Sequence, residues 1–383
     1  MLAPTPYFAD RGCHVRIHEE ARALIARGHD VRIATYHLGR DLPDISTYRT
    51  PNIPWYHKLE AGPSLHKLYL DALLLLKALQ IIPDFRPHLI HAHLHEGGAI
   101  GWVLKKLTGL PLLLDYQGSL TGECIDHGFF AAESFPAAIF RKVEQFIHCA
   151  ADRIITSAGP AVSTLVEEWH MPAPKVSALI DAVDTEQFRP QPPQDARQQL
   201  GIPAETFVVA YLGLTNRYQG VDLLLDSIEI IKNSAPSIRF LIMGFPDEHY
   251  RKEARRRGLE NMIHFTGKVD YNRAPLYLSA GTIAVTPKLS RTEANGKIFN
   301  YMACGLPVVT FDTPVNREIL GDSGVYATYG DASDLAARII ALSQDQAQRE
   351  HLSRAVRETA CSEHSWQRRG QELEKVYLAM LSQ

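Results

Sequence analysis

Short apolar runs, each closed by glycine, proline or a polar residue, recur along the chain, and between them lie stretches with apolar residues at helical spacing. The runs at 31–36, 89–93, 112–117, 153–157 and 176–180 predict strands, preceded by a very short one at Leu2-Ala3-Pro4. Ile17, Ala21, Leu24 and Ile25 fall on one helical face, Arg27 sits in the last turn, and Gly28 ends that helix. A second series predicts strands at 207–212, 238–243, 262–266, 283–286 and 307–310, a helix at 220–231 and a final helix at 366–381. Strands alternating with helices imply parallel sheets with helices on both faces, and ligands then sit at the carboxyl ends of the strands. Gly213, Gly244 and Gly267 close strands of the second series, where backbone can approach a ligand. The Pro- and Gln-rich 190–199 reads as the linker between two domains.

A chain of 383 residues suits two domains, and 45% hydrophobic with 22% charged residues is ordinary globular composition. A net charge of −3 argues against a nucleic-acid partner. Five scattered cysteines without metal spacing suit a reducing, cytoplasmic setting. The N-terminus has no basic start followed by an apolar core, so no signal peptide is expected. The apolar run 68–82 contains Asp71 and Lys77 and falls short of the roughly 20 residues a membrane span needs. A soluble protein is expected, in contact with the inner membrane face at most peripherally; 52–76, with Trp55 and Tyr56, reads first as core and second as a surface toward a lipid-linked acceptor.

The stretch 286–309 is the densest in chemistry. Lys288, Glu293, Asn295, Gly296 and Lys297 crowd a polar loop that runs into an apolar helix through Ile298, Phe299, Tyr301 and Met302. A helix starting near Asn295 to Lys297 turns its free N–H groups toward the loop, which suits an anion such as phosphate. Lys297 opposes the dipole there, which favours an anionic partner, while the Glu293 carboxylate suits a polyol. His91, His93 and His95 alternate along the expected strand and would face one side. Zinc would need further ligands that the sequence does not supply, so His93 or His95 near a substrate is the better reading. Asp126 and His127, in the loop region after the next strand, would join them on an acceptor-side wall. No G-x-G-x-x-G occurs, so a dinucleotide-dehydrogenase fingerprint is lacking.

Tyr301-Met302-Ala303-Cys304-Gly305-Leu306-Pro307-Val308-Val309 resembles the "A-M-A-x-G-x-P-V-V" tail of the retaining GT-B glycosyltransferases of family 4. In that family the tail follows two glutamates separated by seven residues. Glu293 fits the first; Asn300 stands at the second, which in the family holds the nucleotide ribose, and the loop is one residue short. Arg11-Gly12-Cys13 keeps two positions of the family's Arg-Gly-Gly, and Asp181-Ala182-Val183-Asp184 with Phe188 and Pro190 resembles its "N-G-V-D-x-x-x-F-x-P". The resemblance implies an α/β architecture of two Rossmann-like parallel-sheet domains facing across a cleft. They would be 1–187 on the acceptor side, with 364–383 packing back on it, and 188–363 on the donor side. The implied activity is transfer of a sugar, with retention, from a nucleotide-diphosphate donor, UDP- or GDP-linked, to a hydroxyl acceptor on a glycan, polysaccharide, lipid or small molecule. No cofactor is implied beyond the co-substrate, and no metal, since the Asp-x-Asp of the other large glycosyltransferase fold is missing. The implied donor set is Arg11, Gly12, Gly213, Gln219, Gly244, Val269, Lys288, Asn295, Gly296 and Asn300, with Glu293, Arg217, Lys297 and Gln117 at the reacting centre. Gln117 stands where many relatives place a sugar-contacting histidine. Leu214 and Gln219 replace the Arg and Lys that usually grip the diphosphate, leaving Arg217, Lys288 and Lys297 as substitutes. The alternatives are a GT-B sugar phosphorylase, a nucleotide-sugar epimerase, and a non-catalytic sugar-binding homologue.

Overall fold

The structure, a computed structural model, describes residues 1–59, 64–126 and 128–382. The chain divides into two compact units, Met1–Ile180 with Trp366–Gln383, and Asp181–Ser365.

The first unit is built on β1 (Leu2–Ala3), β2 (Arg32–Thr35), β3 (Ser46–Arg49), β4 (Ile90–His93), β5 (Leu112–Tyr116), β6 (Arg153–Thr156) and β7 (Val176–Ala178). They form one sheet in the order β3-β2-β1-β4-β5-β6-β7, with every pairing parallel. β4 and β5 are buried along their whole length, as strands in a sheet covered on both faces should be, and they carry His91, His93 and Asp115 into that interior. The helix Trp366–Leu381 belongs to this unit. It packs on the helix Gly12–Ile25, with Leu373, Tyr377 and Met380 against Leu24, Leu113, Ile155 and Leu179. The Arg369 guanidinium donates to the Ile180 carbonyl at 2.8 Å.

The second unit carries β8 (Val208–Leu212), β9 (Arg239–Met243), β10 (Ile263–Phe265), β11 (Ile283–Thr286), β12 (Val308–Phe311) and β13 (Gly324–Ala327), parallel throughout, in the order β10-β9-β8-β11-β12-β13. Its core joins Val209, Tyr211, Phe240, Ile242, Val285 and Phe311 to Leu224, Ile228 and Leu335 from flanking helices. In each sheet the strand order reverses once, between β1 and β4 and between β8 and β11. Those two points are where open α/β sheets bind ligands.

The expected strands are present with ends shifted by up to two residues. The edge strands β3 and β13 were outside the expectation. STYR is largely polar, and GVYA offers only three consecutive apolar residues; both strands are only partly buried. The region 52–76 is divided: Tyr56, Leu70 and Leu74 are buried, while Trp55, Leu65, Leu68 and Leu76 are exposed.

Candidate functional site

At the reversal in the second sheet, two loops meet: 213–220 after β8 and 287–296 after β11. Their approach requires glycine. Gly220 has φ 74°, and a Cβ on it would stand 1.9 Å from the Pro287 carbonyl oxygen. After β9, a Cβ on Gly244 would lie 2.2 Å from the Gly213 carbonyl oxygen. Both contacts are with backbone, which cannot swing aside.

Lys297 opens the helix Lys297–Ala303, and its stem lies against Gly213. Its ammonium donates to Gln219 Oε1 and stands 5.0 Å from the centre of the Tyr211 ring. Among the described residues no carboxylate forms an ion pair with it. Burial, reinforced by the charge of Lys288, pushes this ammonium well below the usual lysine range. The buried Lys288 Nζ donates to the Ala294 carbonyl at 2.8 Å, and lies 3.4 Å from Glu293 Oε2. The Tyr218 hydroxyl donates to the same carboxylate oxygen, and the Lys288 ammonium stands 5.5 Å from the Tyr218 ring centre. Two donors, the Tyr218 hydroxyl and the Lys288 ammonium, thus fix Glu293.

Beneath the loop, Asn295 Nδ2 donates to Thr286 Oγ1 at 3.1 Å and to Asn316 Oδ1 at 3.2 Å. Asn316 in turn donates to Thr310 Oγ1 at 2.8 Å and to the Phe311 carbonyl at 2.9 Å. The chain of amides ties the loop to β11 and β12. Gly296 faces Asp181, whose Oδ2 lies 3.5 Å from where a Cβ would be. Arg217 is exposed on the first loop, while Asn300 and Val269 are partly buried, in the helix Lys297–Ala303 and in the loop after β10. The Leu212 N–H donates to the Tyr301 hydroxyl at 2.7 Å, fixing the helix to the end of β8.

The first unit places different chemistry at its reversal. Arg16, on the helix Gly12–Ile25, donates to both oxygens of Asp115 at 2.9–3.1 Å, to the Leu179 carbonyl at 3.0 Å, and lies 3.0 Å from Glu20 Oε1. Asp115 also accepts from Gln117 Nε2 at 2.6 Å and from His93 Nδ1 at 2.9 Å. Burial pushes the Asp115 carboxyl up, but the Arg16 guanidinium and the His93 hydrogen bond override it and hold it far below the usual range. Arg11 donates to the Leu59 carbonyl at 3.1 Å, and Gly12 is exposed at the helix start, with nothing near where a Cβ would be.

The three histidines do not share one side, contrary to their sequence spacing. β4 ends at His93, and His95 has already turned into the helix Leu94–Thr108, so the alternation stops. His91 and His93 stack with ring centres 4.3 Å apart, and His91 Nδ1 meets the Tyr377 hydroxyl at 2.8 Å. His95 Nε2 lies 3.3 Å from Glu144 and 3.4 Å from His148. Burial pushes Glu144 up, yet hydrogen bonds from His95 and Thr121 bring its carboxyl down to about 2, and burial takes His148 down to about 3. Glu20, His91, His93 and Asp115 have ligand atoms within 4.8 Å of one another, as do His95, Glu144 and His148; among the described residues these are the groups that could hold a metal ion. In the first, Arg16 already compensates both carboxylates. His127 and the Asp126 side chain lie outside the described residues.

Sequence reasoning missed Tyr211 and Tyr218, which orient the lysines and Glu293, and the Arg16–Asp115–Glu20 network. Asp115 was visible as a lone charge in the apolar run LLLDY.

Two family models match the chain, one in each unit: "Glycosyl transferase 4-like domain" over residues 11–179 and "Glycosyl transferases group 1" over 206–345. The chain is 26% identical over 371 residues to a D-inositol 3-phosphate glycosyltransferase of Thermomonospora curvata, covering 89% of this chain and 84% of the relative. The same-named protein of Geodermatophilus obscurus is 25% identical, covering 96% and 84%. Among solved structures, sucrose-phosphate synthase from Thermosynechococcus elongatus matches with TM-score 0.84 and 20% identity, covering 99% of this chain and 96% of the other. HepE of Anabaena, in complex with UDP and glucose, matches with TM-score 0.80 and 19% identity, covering 98% of each chain. With one family model in each unit and both parallel sheets matching GT-B structures, the chain belongs to the group 1 glycosyltransferases of family 4.

Proposed function

We propose that this glycosyltransferase transfers a sugar, with retention, from a nucleotide-diphosphate donor, UDP- or GDP-linked, to a hydroxyl acceptor. The observation that carries the reading is Lys297: a largely desolvated ammonium at the sheet reversal, held by a neutral amide and an aromatic face rather than by a carboxylate. Keeping such a charge unmatched is unfavourable unless an anion completes it. A donor diphosphate is such an anion, and Lys288 stands close enough to add a second cation.

In this reading Glu293, oriented by Lys288 and Tyr218, accepts hydrogen bonds from the hydroxyls of the transferred sugar. Asn300 faces the ribose with an amide in place of a carboxylate. Lys297 and Lys288 stabilise the departing diphosphate, whose oxygen takes the acceptor's proton on the same face of the sugar. Support for the donor class comes from HepE, whose structures carry UDP and UDP-glucose. The D-inositol 3-phosphate glycosyltransferases add a precedent for a polyol acceptor.

A thermal-shift screen against UDP, GDP, ADP, TDP, CDP and their sugars tests this, because a ligand that binds only the folded state raises Tm. One nucleotide should raise Tm in the wild type and fail to do so in Lys297→Met. Glu293→Ala should lose only the increment added by the sugar. A protein that no nucleotide stabilises, but that consumes or releases inorganic phosphate with a sugar, would be a phosphorylase and not this transferase.

A further inference from the structure

Exposed apolar side chains are unevenly spread over the molecule. Between residues 55 and 146, Phe135 is 79% exposed, Leu68 75%, and Phe146, Ile139 and Val143 44–47%. Among its described residues the second unit exposes only Ile230 and Tyr329 comparably. Phe135, Ile139, Val143 and Phe146 follow i, i+4, i+8 and i+11 along the helix Phe135–Ala150, which gathers them into one stripe. The opposite face of that helix holds Ala137, Glu144, Ile147 and His148 inside the unit, and the stripe is left substantially exposed. Beside it, the helix Leu94–Thr108 sets Trp102 edge-on to Phe146 at 5.0 Å. Beyond that lies the helix Lys67–Phe85, which exposes Leu68 and Leu76.

The charges select the partner. The exposed charged groups of the helix Phe135–Ala150 are Arg141 and Lys142, both basic, while its one carboxylate, Glu144, is buried; the exposed Glu133 stands two residues before its start. By helical spacing Lys142 falls at the edge of the apolar stripe and Arg141 well outside it. The excess is local, because the chain as a whole carries −3. No helix among the described residues is long and apolar enough to cross a membrane. An aromatic stripe with lysine and arginine on its polar side is the pattern of a helix lying in a lipid interface, its cations reaching the headgroups. We propose that the outer face of the helix Phe135–Ala150 docks this protein on an anionic lipid surface, with Phe135 and Phe146 entering the acyl boundary.

The test is co-sedimentation of the full chain at low salt with vesicles of phosphatidylglycerol and phosphatidylcholine, and with phosphatidylcholine alone. Binding should require the anionic lipid and weaken with added salt. It should fall about tenfold in the double variant Phe135→Ser/Phe146→Ser and in Arg141→Gln/Lys142→Gln, each retaining the wild-type Tm. Absence of binding to anionic vesicles, or binding that neither variant weakens, overturns the proposal. So does a dimer, seen by light scattering, that the phenylalanine variant dissolves, since the face would then belong to a second copy of the chain. The outcome does not depend on which donor the site accepts.

Discussion

The two sheet reversals share a strand order and treat charge in opposite ways. At β1/β4 the buried Arg16 is matched by Asp115 and Glu20, and Asp115 is further satisfied by His93 and Gln117. At β8/β11 Lys297 meets an amide oxygen and an aromatic face. A closed network of this kind holds a domain together, whereas an ammonium left without a counter-charge is free to act on something that arrives.

The largest effect that would break this contrast is on stability. Arg16→Met leaves two buried carboxylates without their cation, and denaturant unfolding should show a loss of about 3–5 kcal/mol. A loss below about 1 kcal/mol would mean that Arg16 does not hold the unit together. Lys297→Met should do the reverse. Turnover of the nucleotide-sugar should fall by about 10²–10³, while Tm stays level or rises because a desolvated charge has been removed. If Tm instead dropped as far as in Arg16→Met, Lys297 would be structural and the contrast would fail.

Acid titration sharpens the comparison next. Despite burial, the Glu144 carboxyl is held at about 2 in the folded protein, by hydrogen bonds from His95 and Thr121, against an ordinary glutamate value of 4.5. A depressed carboxylate contributes stability that is complete above the unfolded pKa and lost as pH falls through the folded one. The stability curve should therefore slope between about pH 4.5 and 2 by up to about 3 kcal/mol in total, and Glu144→Gln should flatten that limb. The smallest effect is expected from Gln219→Glu, which gives Lys297 the carboxylate it lacks. Nucleotide affinity, read by calorimetry, should weaken by about tenfold, or about 1.4 kcal/mol. Unchanged affinity would mean that the ammonium does not face the ligand.

The sheets were legible because most buried parallel strands are written as apolar runs, as in VVAYL of β8 or the FLIM that follows Arg239 in β9. The edges β3 and β13 were not, since half-buried strands need no such run. Lys288, Glu293 and Lys297 stood out through their crowding before an apolar helix. Their partners Tyr211 and Tyr218 did not, because a tyrosine at the end of a strand or in a loop looks the same whether or not a lysine stands near its ring. The histidine alternation misled for a local reason: the chain turns at Leu94, with φ 63°, and sends His95 toward Glu144 and His148.

The helix Trp366–Leu381 belongs to the first unit, yet it is made only after the whole of the second. During synthesis, residues 1–180 emerge, then all of 181–365, and only afterwards the segment that covers Leu24, Leu113, Ile155 and Leu179. At roughly 5–20 residues per second, that apolar face waits for about 10–40 s. The second unit, contiguous in sequence, has all its strands in hand during that interval and can fold first. The first unit meanwhile presents an open apolar seam to chaperones, and a ribosome stalled before Trp366 leaves it uncovered after the whole of the second unit has been made.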